Sequence, residues 1–384
     1  MKKCIALMFV IMALPTMVWA QQPSNEELYR MIQEMERKFD AAIDRTNQAL
    51  AEAAEAKEEA AKAKAELAQL QSGLHPASTS LVKTPETTPG FTASAEALYI
   101  RPSRSNLDFV ITDPDTDNNP EGTVGEIEPD YQMGERIGLG YDFGSGTEIG
   151  VRFTGLKTHD SDSATSSAGG ALWGTWLHPN ASIDDNDVTS ATARYDFEHY
   201  AIDFGARQKL NIGQRLGLHL DAGLRYASMN QDIGIAYLNA NNGTRVDITN
   251  ENDFSGWGPR IGMGLDWRVG HGFNVFSSVA GSLLLGDFDL MLRETDNGTA
   301  ERADIKQGLH NRLIPVLEMK LGVGYARQLN NGWTIGANAG YEWQNWFNMV
   351  SAQRFSDDVD SQIMYTDTTD ISLDGFFFEG FIRF

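Results

Sequence analysis

Residues 215–226 read RLGLHLDAGLRY, which puts Leu216, Leu218, Leu220, Ala222, Leu224 and Tyr226 on one side of an extended chain and Arg215, Gly217, His219, Asp221, Gly223 and Arg225 on the other. A two-residue period is a strand signature, because successive side chains of a strand point to opposite faces. The same rhythm recurs at 131–143, 257–267 and 317–325, each with Gly and charged residues on the second face. Beyond the first twenty residues no apolar run reaches the roughly 18 residues that a spanning helix requires. Two classes remain, an exported soluble β protein and a membrane barrel whose hydrophobicity is hidden in alternation.

The spacing predicts ten strands, at about 91–101, 131–143, 147–156, 190–206, 214–228, 256–268, 273–288, 311–327, 332–349 and 370–384. The gaps between them alternate strictly between long and short, so all long connections fall at one end of the sheet and all short ones at the other. Transmembrane barrels have this asymmetry, whereas a sandwich has no reason to keep it. Trp257 and Trp267 share a face ten residues apart, as do Trp333 and Trp343. At about 3.3 Å per residue and a tilt near 40°, each pair spans about 25 Å, the height of an apolar band between aromatic girdles. The fold class expected is therefore all-β, an antiparallel transmembrane barrel of about ten strands, with eight to twelve compatible.

Ionisable groups at membrane depth are tolerated where they line a wet or paired interior. Arg136, Arg152, Arg225, Arg260, Glu318, Lys320 and Glu342 fall on the face opposite the apolar one and are the candidate pore-lining residues. The same groups read equally well as structural ion pairs closing a narrow lumen.

The N-terminus carries Lys2 and Lys3, an apolar stretch from Ile5 to Val18, and small residues at Val18 and Ala20 before Gln21, the pattern of a cleaved leader over 1–20. The one cysteine, Cys4, lies within that leader, so disulfides are not expected to stabilise the rest. Residues 24–72 are rich in Ala, Glu, Lys and Gln, and positions such as Leu28, Ile32, Met35, Phe39, Leu67 and Leu70 follow alternate steps of four and three. That spacing predicts a coiled-coil helix in the periplasm. Gly73 and Pro76 end it, and 73–90 reads as a flexible linker to a barrel domain at 91–384.

The net charge of −22 excludes a polyanion partner, so no nucleic acid is expected. Residues 108–130 hold eight acids and no Lys or Arg, but Asn118 and Val124 break the calcium-loop pattern that Asp113, Asp115 and Asp117 begin. Diffuse binding of divalent cations or an ordinary solvated acidic surface both fit. The seven His residues are scattered and no nucleophile elbow is present. His159 with Asp160 and Asp162 lacks a nucleophile or metal set, so neither an enzyme nor a cofactor or metal site is expected.

The opening strand TASAEALYIRP at 92–102, the Gly/aromatic strands and the closing DGFFFEGFIRF at 374–384 together resemble the pore-forming outer-membrane proteins related to the Legionella major outer membrane protein. The likeness covers roughly 91–384. It implies a barrel in the outer membrane of a Gram-negative bacterium, porin activity, and insertion by the barrel assembly machinery, with Phe376, Phe378, Ile382 and Phe384 as the assembly signal. The leading expectation is passive diffusion of small hydrophilic solutes or ions. Its rival is a non-conducting structural or adhesive barrel with acidic external loops. Outer-membrane lipids and other copies of the chain are the expected partners, a homotrimer in preference to a dimer. Phe377 and Phe381 point toward the lumen in this reading and suggest that it is partly filled.

Overall fold

The structure is a computed structural model that describes residues 82–83, 88–115, 121–167, 170–184, 187–355 and 364–384. The expected leader, the helix over 24–72 and most of the linker lie outside the described residues, as do Asp117, Asp185, Asp357, Asp358 and Asp360. The strands are β1 (Val82–Lys83), β2 (Gly90–Ser103), β3 (Asp108–Asp113), β4 (Thr123–Glu126), β5 (Gln132–Asp142), β6 (Thr147–Thr165) and β7 (Ala171–Gly174). They continue with β8 (Ser190–Ile212), β9 (Leu216–Asn239), β10 (Thr244–Gly270), β11 (Phe273–Asp296), β12 (Ala300–Gln328), β13 (Thr334–Phe355) and β14 (Met364–Arg383).

Ten of these form an antiparallel ring, in the order β2, β5, β6, β8, β9, β10, β11, β12, β13, β14 and back to β2. Closure is made by the aromatic C-terminal strand, with Phe376 opposite Tyr99 and Gly380 opposite Ala95. Phe91 and Phe384 complete it by exchanging backbone hydrogen bonds of 2.8 and 3.0 Å. In the half that holds Phe376 to Phe384 the closed ring has no edge, so each strand finds its backbone partners inside the molecule, as hydrocarbon requires; beyond it β12 and β13 pair no further than Val316 and Trp346. The short β1 adds two residue pairs to the end of β8, Val82 opposite Ile212 and Lys83 opposite Asn211.

All ten expected strands are present, but the expected long connections are largely strand. The segment 229–255, read as a loop, belongs to β9 and β10, which continue in register to Asn239 and Thr244. Likewise 289–310 belongs to β11 and β12, which meet in a turn where Asn297 and Gly298 have φ of 48° and 69°. Positive φ at both central residues is the hairpin geometry that Asn-Gly adopts at little cost. The expectation failed because the alternation reverses polarity partway up each strand. On β9 the outward residues change from Leu220, Leu224 and Tyr226 to Ser228, Asn230 and Asp232, while the inward ones change from Asp221 and Arg225 to Met229, Ile233, Ile235 and Tyr237. On β10 the outward face changes between Trp257 and Ser255, and on β11 between Leu285 and Asp287. A strand sought by one constant apolar face therefore ends too early.

The ring consequently has two storeys. The lower one, at the end of the short turns, is apolar outside and polar inside. Its belt runs over 91–99 on β2, 200–210 on β8, 216–226 on β9, 257–267 on β10 and 376–384 on β14. This is roughly the nine to eleven residues that a tilted strand needs to cross a bilayer. Trp257 at 62 % and Ile261 at 68 % exposure would be an aggregation hazard in water and are at home in lipid. The upper storey has the conventional arrangement, polar outside and apolar inside.

The upper interior is packed. Tyr195, Phe197, Met229, Ile233, Tyr237, Phe254, Phe288, Trp346 and Met349 from the ring form one cluster with Phe109, Val110, Leu172, Trp176, Ile183 and Val188 from the connections. Those connections hold the small sheet β4-β3-β7. They fold into the mouth as a plug, burying apolar side chains that the inverted upper storey presents to them.

Candidate functional site

The candidate site is the lumen, and its lower storey is crossed by two ionic clusters. In the first, Arg136 of β5 donates to both carboxylate oxygens of Glu342 on β13 at 2.9 and 2.7 Å, and also to Glu96 of β2. Its Nε donates to Thr154 Oγ1 at 3.0 Å. Lys320 of β12 reaches Glu96 at 3.1 Å and Glu342 at 2.7 Å. In the second, Arg225 of β9 donates to Asp203 of β8 at 2.6 and 2.8 Å and to Glu318 of β12 at 2.6 and 3.2 Å. Arg260 of β10 adds bonds of 3.0 and 3.1 Å to the same Glu318.

Strands β5 and β13 are three places apart in the ring, and so are β9 and β12. The Arg136–Glu342 and Arg225–Glu318 contacts are therefore chords across the lumen rather than ladders along its wall. Glu318 and Lys320 are successive inward positions of β12, so that strand serves both clusters. Each cluster holds two cations and two carboxylates and is formally neutral. Burial of these groups is offset by bidentate, charge-assisted bonding. Arg152 of β6 also faces inward, directly opposite Asp203.

Phe377 stands among these charges, with Lys320 Nζ 4.6 Å from its ring centroid and Phe276 at 6.1 Å, ring to ring. Phe381 lies against the backbone of Gly336. Both fill lumen, as their parity suggests. Toward the short turns, Arg207 pairs with Asp221 at 2.7 Å and Lys209 with Glu148 at 2.6 Å. The four tryptophans Trp257, Trp267, Trp333 and Trp343 face outward, Trp333 packing at 5.7 Å from the ring of Phe384. Phe376, Phe378 and Phe384 are exposed on the same outer face, with Ile382 half-buried between them.

The plug is fastened from several ring strands. Arg354 of β13 grips Asp108 of β3 through two bonds of 3.0 Å and lies 4.0 Å from the Trp176 ring centroid. Burial alone raises the Asp108 carboxyl, but Arg354 outweighs it and holds the group below its ordinary value. Tyr237 of β9 donates its hydroxyl to the carbonyl of Phe109, and Gln231 of β9 accepts from Arg104 at 2.6 Å. Asp113, the first residue of the calcium-like stretch, spends its oxygens on the N–H groups of Asp115, Glu121 and Trp173 at 3.0–3.3 Å. Among the described residues no three His, Cys, Asp or Glu side chains converge as metal donors.

The chain matches, over residues 83–384, the family described as Legionella pneumophila major outer membrane protein precursor. It belongs to that family. The ring is thus an outer-membrane barrel, and the storey that carries the plug connections is called external on the rule that the longer connections of such barrels face outward. A search of curated proteins finds no match. Among solved structures the chain is similar to the outer membrane protease OmpT from Escherichia coli, at 10 % identity, 77 % of this chain, 96 % of that one and a TM-score of 0.41. The translocator domain of autotransporter NalP from Neisseria meningitidis matches at 10 % identity, 85 % of this chain, 95 % of that one and 0.31. The Pseudomonas putida toluene transporter TodX matches at 8 %, 78 %, 89 % and 0.26. Likeness at this level carries no activity across, and the barrel assignment of this family member rests on its own strand pairing.

The sequence pattern places the seven charged candidates on the inward face, but it leaves out their partners Glu96 and Asp203 and the whole plug. Glu96 carries a signal in hindsight, as the single acid of β2 on the parity of Leu98 and Ile100. For the plug the local pattern offers none, since β3, β4 and β7 are too short to show a period.

Proposed function

We propose that this chain is a gated pore of the outer membrane, which passes small hydrophilic solutes or ions when its plug withdraws and is shut otherwise. The observation that supports this most is the difference between its two closures. The lower one consists of neutral clusters of ion pairs, which can exchange partners with ions and water without exposing apolar surface. The upper one is made of connections rather than ring strands, so it can leave without breaking any pairing of the barrel. The depth of apolar packing around Phe109 and Tyr237 favours a second reading, a permanently closed structural or adhesive barrel.

Planar-bilayer recording separates the two. The gated pore gives rare, brief conductance steps for the parent and frequent ones for Phe109→Ala combined with Arg354→Gln. Silence of both proteins across folded, heat-modifiable preparations would leave the structural barrel. We extend the proposal to partners: outer-membrane lipid around the belt, the barrel assembly machinery reading the outward aromatic set of Phe376, Phe378, Ile382 and Phe384, and a homotrimer held by residues 24–72 together with barrel packing. No enzymatic activity is proposed. Cross-linking of native membranes that yields only monomer would remove the trimer.

A further inference from the structure

Glu294 sits where an ionised carboxylate has little support. It faces inward on β11 in the external storey at 2 % exposure, and the residues directly opposite are Ile248 of β10 and Ala303 of β12, neither of which offers a charge. Its Oε2 accepts the backbone N–H of His178 at 3.0 Å, in the plug segment that follows β7. Its Oε1 is buried and has no hydrogen-bond partner among the described residues.

Three charged or titratable groups surround it. Asp296, two residues further along the same face, is buried and takes Arg302 of β12 as its own partner. The Arg302 charge is thereby committed. The ring of His178 accepts the Asn180 N–H at Nδ1, 3.0 Å away, and packs edge-on against Phe355 at 4.3 Å. Burial, followed by Arg302, pushes that imidazole below its ordinary value, so it supplies no positive charge at neutral pH. Burial pushes the Glu294 carboxyl up to about 7, Asp296 adding to the rise while the His178 amide and Arg302 oppose it. Burial outweighs the preference of the His178 amide for a carboxylate, so the docked slot favours the neutral acid.

We propose that Glu294 is a proton-operated latch on the plug: as the neutral acid it stays buried beneath the segment around His178, and as the carboxylate it must reach water and displaces that segment. The latch rests on the reading of the plug as the gate. Its sign follows from linkage. The docked plug binds this proton more tightly than the released one, so docking is strongest below the ordinary carboxylate range and weakens as pH rises through about 7. The docking constant falls over that interval by a factor on the order of a hundred.

Thiol labelling reads the latch without reference to current. In a background with Cys4 replaced by serine, Ile183→Cys places a thiol at a plug position that is 3 % exposed, and Ser161→Cys places one on the exposed face of β6. The ratio of their labelling rates by an uncharged maleimide, taken at each pH on heat-modifiable protein in micelles, cancels the titration of the thiols. The ratio should rise about a hundredfold from acid to mildly alkaline pH with Glu294 present. It should stay low and flat in Glu294→Gln, which keeps an acceptor for the amide. A flat ratio in the parent, or the same rise in Glu294→Gln, overturns the latch. Recording the same proteins in bilayers keeps the two ideas apart: a pH-dependent ratio without current removes the pore and leaves the latch, and current with a flat ratio does the reverse.

Discussion

Glu342→Gln tests whether the chords across the lumen hold the barrel together. Glu342 accepts bonds of 2.9 and 2.7 Å from Arg136 and 2.7 Å from Lys320, and it is 1 % exposed beside an Arg136 that is 4 % exposed. Glutamine keeps the volume but removes the charge, leaving Arg136 and Lys320 against Glu96 alone. Breaking one partner out of a buried set costs about 3–5 kcal/mol, because the remaining charge is left uncompensated. Arg136→Gln in the same protein leaves Lys320 with Glu96, a balanced pair again, so the double variant should be more stable than the sum of the singles by about 2 kcal/mol. Urea titration in micelles, following the shift between heat-modifiable and unfolded forms on a gel, measures all three. Because the pairs are buried, moderate salt should change the result little. A loss below about 1 kcal/mol for Glu342→Gln, or an additive double variant, would refute the reasoning that the cluster acts as a charge-balanced unit.

The belt can be tested by depth: Ile261→Arg, midway between Trp257 and Trp267, should destabilise the folded barrel by about 2–4 kcal/mol, whereas Thr249→Arg on the same face of β10 above the belt should change it by less than about 0.5 kcal/mol. On the outer face Asp196, Asp232 and Glu251 stand directly opposite one another on β8, β9 and β10. Burial first, then Glu251, Asp253 and Asp196, push Asp232 up to about 6, so the folded chain loses stability as pH rises from the ordinary carboxylate range through that value. Asp232→Asn should therefore be more stable than the parent at pH ~8 by about 1 kcal/mol after allowing for solvent screening, and indistinguishable from it near pH ~3, by the same urea titration. Trp176→Ala removes an aromatic ring from between Arg354 and the plug core and should cost about 3 kcal/mol, read as faster proteolysis of the plug connections while the ring survives intact.

Much of the lower storey was legible because its rules are local. Leu216 to Tyr226 and Arg215 to Arg225 announce a strand with a lipid face and a wet face. The Trp257 and Trp267 spacing announces the height of its lipid-facing belt, although β10 itself runs on well beyond it. The polarity inversion was also local, visible in the switch from Tyr226 to Ala227 on the apolar parity, but a search for a single apolar face stops there and takes the external strands for loops. The residues 24–72 that read as a coiled coil fall outside the described residues and stay an expectation.

What the sequence by itself determined is which face each side chain takes, since a strand's two-residue period depends on backbone geometry alone. It also determined which strand must close the ring, because an outward row of Phe residues needs lipid and its backbone needs a partner. Only the tertiary structure decided who stands opposite whom across the lumen. Arg136 meets Glu342, and Arg225 meets Glu318, because closure with a given strand number and stagger carries β5 toward β13 and β9 toward β12, a property of the whole ring that no segment encodes. The same holds for the plug. Phe109 and Trp176 are ordinary residues of acidic or irregular connections until the inverted external storey offers them an apolar interior, and it is this match that turns a barrel into a closed one.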